Sequence, residues 1–228
     1  MGIMSEYLEF RVAYEVTSAI LCFILVWFMT KPYRFTKESR YVGLPLAFGL
    51  LGGSYFFSAL AYAQPSFFPE EILWFQLFAR TFAFVFLATT YYFSNKHSKA
   101  SQLLRNVTFS VIVVAILTSV VAVIFMPQLN FASYRIASEY VRIFIIICLL
   151  YIIIQTIRSH LAKPDSTTLS FPLGYILLAL SQYSIIIWAV DGSMLAWWVA
   201  LGLRWGALAI FLLVAYLAFY GAQKKDTK

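Results

Sequence analysis

Four arginines stand inside apolar stretches, where a permanent charge needs an explanation: Arg11, Arg80, Arg142 and Arg204. A guanidinium at mid-bilayer costs at least about 3 kcal/mol, so each must reach a headgroup, a carboxylate or an anionic ligand. Two acids fall in the same stretches. Glu15 lies four residues after Arg11 and Glu139 three before Arg142, so both pairs can close on one helix face. Arg80 and Arg204 have no acid within a turn. The planar guanidinium fork prefers carboxylate or phosphate, so the chemistry these residues offer is anion recognition.

Other chemistries lack their residues. Every lysine lies in a polar joint or the tail, leaving no partner for a retinal Schiff base, and His97 and His160 lie in joints too, which excludes an intramembrane bis-histidine haem. No Cys/His or acidic cluster has metal-ligand spacing. Cys22 and Cys148 fall in apolar runs and read as packing residues. No cofactor, metal or catalytic residue is expected.

The elements that position the arginines follow from composition. Hydrophobic residues make up 62% of the 228 and charged residues 12%, with mean hydropathy +0.80. A soluble domain carries about 25% charged residues, so lipid must be the solvent here. Runs long enough to cross about 30 Å of hydrocarbon occur near 9–30, 42–63, 72–93, 107–126, 137–157, 169–190 and 194–220. The expected fold is an all-α integral membrane protein, a single seven-helix bundle over 1–228. Only Asp191 and Gly192 punctuate the last two runs. At the third, Pro69 followed by Glu70 and Glu71 is a good helix start, with carboxylates facing the positive end of the dipole.

Lysine and arginine set direction. Lys31, Arg34, Lys37, Arg40, Lys96, Lys99, Arg105, Arg158, Lys163, Lys224, Lys225 and Lys228 fall on one side, and Arg135 alone in the loops of the other. The positive-inside rule then puts the C-terminus in the cytoplasm and the N-terminus outside. The net charge of +7 is spread over short clusters at membrane edges, which points to anionic headgroups at the cytoplasmic face and away from nucleic acid. No cleavable signal is expected, and the first run reads as a retained span.

Each intramembrane arginine sits in an odd-numbered run, 20, 16, 16 and 20 residues before the next inner basic residue, or roughly 24–30 Å along a helix. Arg11 and Arg204 therefore sit nearer the outer interface, where snorkelling to headgroups is the first expectation. Arg80 and Arg142, about a turn deeper, are expected to face the bundle. The alternative to snorkelling is an outward-facing polar cavity lined by Arg80, Arg142, Arg204, Glu15 and Glu139, with Gln76 and Gln182 as neutral neighbours. Ser54, Ser58 and Ser181 read as interhelical hydrogen-bond formers, and Gly52 and Gly53 as sites of close helix contact.

The sequence also repeats. PLAFGLLGGS (Pro45 to Ser54) matches PLGYILLALS (Pro172 to Ser181) without a gap; Trp74, Arg80 and Tyr92 then correspond to Trp198, Arg204 and Tyr216. Arg142 lies 62 residues from both Arg80 and Arg204, which extends the pattern to a leading helix followed by three hairpins of one type.

The LLGGSYFFSALAY second helix, and a third beginning around Trp74 and carrying Arg80, resemble the seven-helix sensor regions that microbes fuse to histidine kinases and cyclases. The resemblance implies a sensor binding a small anionic or amphipathic ligand from the outer side. No kinase, cyclase or receiver sequence follows Gly221, so the expected output partner is a separate cytoplasmic signalling protein on the basic inner face. A small transporter or channel, or a structural subunit of a membrane complex, are the competing classes.

Overall fold

The computed structural model describes residues 2–36, 43–63, 70–94, 99–125, 134–162 and 166–220. Among them are seven helices: α1 (Gly2–Thr36), α2 (Gly43–Ala63), α3 (Glu70–Ser94), α4 (Lys99–Phe125), α5 (Tyr134–Ala162), α6 (Ser166–Asp191) and α7 (Met194–Tyr220). Each contains a segment long and apolar enough to span a bilayer, from Leu8–Lys31 in α1 to Met194–Leu217 in α7. The chain is a multi-pass helical membrane protein.

The shortest joint shows how little a sequence needs to separate two spans. Gly192 takes a positive φ of 67°, and its amide donates to the Trp188 carbonyl at 2.9 Å, closing the end of α6. Glycine adopts this left-handed geometry without a Cβ penalty. The Ser193 hydroxyl then accepts from the Ala196 amide at 3.4 Å, an N-cap that starts α7.

Six of the helices close into a ring. α1 packs on α2 and α7, α2 on α3, α3 on α5, α5 on α6, and α6 on α7. α4 lies outside, against α3, where Phe109 meets Phe86 with ring centroids 5.5 Å apart. Its outward side is a run of Leu103, Val107, Val111, Val114, Leu117 and Val121, all exposed to what must be lipid. Among the described residues α4 and α5 do not pack on each other, so they form no hairpin like α2–α3 or α6–α7. The threefold hairpin expectation is corrected here. The even spacing of arginines does not carry helix pairing with it.

Small residues let the ring close. Ala19, Ala47, Ala83 and Ala207 are buried, and a Cβ at Gly52 would lie 3.1 Å from the Cys22 Cβ on α1. The half of the bundle away from the α6–α7 turn is filled by apolar side chains: Leu25, Phe48, Leu87, Leu149, Ile152, Leu208 and Phe211, with Tyr175. The Phe211 ring sits 4.7 Å from that of Tyr175 and 5.7 Å from that of Phe48. Buried polar side chains concentrate in the other half.

Candidate functional site

Glu15 lies two turns into the membrane segment of α1 and is buried. From α7, the Arg204 Nη1 donates to both carboxylate oxygens, at 3.2 and 3.4 Å. From α3, the Arg80 Nη2 lies 4.0 Å from Glu15 Oε2. The Arg204–Glu15 and Arg80–Glu15 ion pairs therefore end on one carboxylate. Arg204 is only 3% exposed, whereas the Arg80 side chain keeps 18%.

Arg80 has further partners on α2. Its Nε donates to Ser54 Oγ at 3.4 Å and its Nη2 to Ser58 Oγ at 3.1 Å. The Ser58 hydroxyl has two acceptors in reach, the Ser54 carbonyl at 3.0 Å and Gln76 Oε1. Gln76 stands one turn before Arg80, so helical spacing delivers both to the same face. Aromatic rings complete the setting. Arg80 and Arg204 lie 5.1 and 4.9 Å from the Tyr55 ring centre, and Arg204 lies 5.3 Å from that of Tyr14. The negative face of each ring adds cation–π attraction where water is excluded. Tyr14 is fixed by its hydroxyl, which donates to the Leu201 carbonyl at 2.8 Å, and by stacking on Trp205 at 5.1 Å.

Arg142, on α5, lies within electrostatic range of Arg80 and Arg204. Its Nη1 is buried and has no hydrogen-bond partner among the described residues; the same holds for Arg204 Nε. Gln182 is buried beside Ser181, whose hydroxyl donates to the Ala200 carbonyl on α7 at 2.8 Å.

Several sequence expectations change. Arg204 does not snorkel; it points into the bundle, because Glu15 and two tyrosine rings meet it there. Glu15 does not pair with Arg11 one turn away. It turns inward to Arg204 and Arg80, and Arg11 instead donates to the Tyr62 hydroxyl with its guanidinium 3.8 Å from that ring's centre. The tyrosines at 14, 55 and 62 are not among the residues that charge or spacing singles out in the sequence. Their signal was position, since Tyr14 and Tyr55 fall within the spans and away from the interfacial belts where tyrosine is ordinary.

Between α1 and α2, near the α2–α3 connection, lies a groove of about 390 Å³ lined by Leu8, Glu9, Val12, Ala13, Tyr62 and Ala63. Tyr62 thus contributes its ring to the groove wall and its hydroxyl to Arg11.

A ring of membrane-spanning helices holding converging charges in one half, closed by an apolar core in the other, defines the class: a polytopic bundle built around a buried polar centre. The chain belongs to the MASE3 family of membrane-associated sensor domains, whose family model matches residues 3–222. No curated protein and no solved structure matches it.

Proposed function

We propose that this sensor domain detects a small anionic or amphipathic molecule entering from the outer side, and that the ligand's anionic group is held by the arginine cluster. One observation carries the reading. Two guanidiniums share a single carboxylate, while a third, Arg142, sits within their field with a buried Nη1 that lacks a hydrogen-bond partner among the described residues. A carboxylate or phosphate would supply the missing charge and the missing acceptor. Arg80, Arg142 and Arg204 provide the charge, Glu15 and Glu139 the acidic counterweight, and Gln76 and Gln182 neutral donors and acceptors.

The lopsided distribution of lysine and arginine supports an outer N-terminus and a cytoplasmic C-terminus. In that orientation the cluster lies in the outer half. The basic inner joints are then suited to anionic headgroups and to a separate cytoplasmic signalling protein as output. Burial phase supports a duplicated hairpin. Phe48, Leu51 and Ser54 are buried, as are their counterparts Tyr175, Leu178 and Ser181; Ala83, Phe84 and Leu87 match buried Ala207, Leu208 and Phe211.

The test is anion-dependent thermal stabilisation of the purified chain in neutral detergent, with benzoate and inorganic phosphate as probes. Arg80→Gln is expected to abolish it while leaving expression and insertion nearly intact. Arg80→Lys is expected to restore only part, because lysine keeps the charge and loses the fork. Stabilisation undiminished in Arg80→Gln would contradict the reading.

A further inference from the structure

Glu15 is divided unequally between its two arginines, and the two do not depend on it equally. Arg204 is 3% exposed, donates to Glu15, and has a buried Nε without a partner among the described residues. Withdrawing Glu15 would strand its charge in a dry interior, at a cost of several kcal/mol. Arg80 is more exposed, stands 4.0 Å from the carboxylate, and keeps the Ser54 and Ser58 oxygens whether or not Glu15 is present. The contact with Arg204 is therefore the one that persists, and the contact with Arg80 is the displaceable one. α1 and α3 do not pack on each other among the described residues, so the Glu15–Arg80 contact reaches across the interior of the ring.

Building on the anion-sensing reading above, we infer that Glu15 is a built-in competitor for the ligand: an incoming oxyanion displaces it from Arg80, bridges Arg80 to Arg142, and leaves Glu15 wholly to Arg204. The ligand class is then a small carboxylate or phosphate whose charge reaches α3 and α5, and whose body need not displace the Arg204 pair. Binding exchanges a tie between α1 and α3 for one between α3 and α5, and strengthens that between α1 and α7. Because α1 and α7 are adjacent in the ring, ligand occupancy is converted into a change in their relation along the bundle. A ligand shifts an equilibrium only by its differential affinity for the two states, and that difference resides in which anion Arg80 holds.

The competition has a signature that ordinary site residues lack: removing an acidic residue should tighten anion binding. If Arg80 is free of Glu15 about a tenth of the time, deleting the competitor tightens the apparent Kd about tenfold. Titrations of the full chain with benzoate and, separately, with inorganic phosphate would compare wild type, Glu15→Gln, Arg80→Gln and Arg142→Gln. A second variant, Glu15→Asp, keeps a charge for Arg204 while drawing the carboxylate back from Arg80, and covers the case in which Glu15→Gln fails to fold. Tighter binding in either Glu15 variant, with loss in Arg142→Gln, is expected; the stronger of the two probes assigns carboxylate or phosphate. Wild-type binding that requires Arg80 but is unchanged or weaker in the Glu15 variants would overturn the competition and leave the anion site standing. Binding by none of the proteins would overturn both. Binding only once Glu15 is removed would support both, with the carboxylate outcompeting the probe in the resting protein.

Discussion

Removing one member of the Arg204–Glu15 pair leaves the other as a bare charge in a low-dielectric interior. Arg204→Met or Glu15→Leu alone is therefore expected to destabilise the bundle by roughly 3–5 kcal/mol, and the double variant to recover most of that loss. Unfolding of the three variants in mixed micelles by a denaturing detergent measures the difference; equal losses in single and double variants would show that the pair does not act as a unit. At this scale the sequence was partly legible. The four arginines stand out because charge inside an apolar run is costly, and Glu15 is one of two acids available to satisfy them. Its actual partners were not legible. Spacing within a helix favours Arg11, one turn away, whereas the ion pairs reach α7 and α3, which only the assembled ring brings near.

Helices are where hydropathy reads best. The expected spans 72–93 and 194–220 correspond to Ile72–Phe93 and Met194–Leu217, and the break at Asp191 and Gly192 is made by a left-handed glycine and a serine cap. Helix partnership is read poorly, since faces directed at lipid and at protein are both apolar and differ mainly in the small residues that line the protein contacts. α4 illustrates this: its run is as apolar as its neighbours', yet it stays outside the ring. Close packing inside the ring makes a paired prediction. A Cβ at Gly174 would fall 2.6 Å from the Phe211 ring, which is wedged between Phe48 and Tyr175, whereas one at Gly53 would meet nothing within 4 Å. Gly174→Ala is expected to cost about 1–3 kcal/mol through overpacking, and Gly53→Ala to be neutral or slightly stabilising. Thermal melts of the two variants would check it, and equal melting temperatures would mean that the α6–α7 contact is looser than described.

For the whole molecule, orientation decides which solution the arginine cluster samples. Cysteine substituted at Glu70 or Asp191 is expected to react with an impermeant thiol reagent in intact cells, and cysteine at Lys99 only after permeabilisation. Labelling of Lys99→Cys alone would invert the bundle and place the cluster nearer the cytoplasm. The balance of lysine and arginine carries this expectation, because charge bias acts during insertion and leaves its record in the joints. The most direct measurement of the central claim is a crystal structure of the full chain grown with 4-bromobenzoate, with the bromine located by its anomalous signal. The bromine is expected inside the helix ring, with the carboxylate about 3 Å from the guanidiniums of Arg80 and Arg142 and Glu15 drawn to Arg204. Bromine found only at the lipid-facing surface, with Glu15 still shared between Arg80 and Arg204, would contradict it.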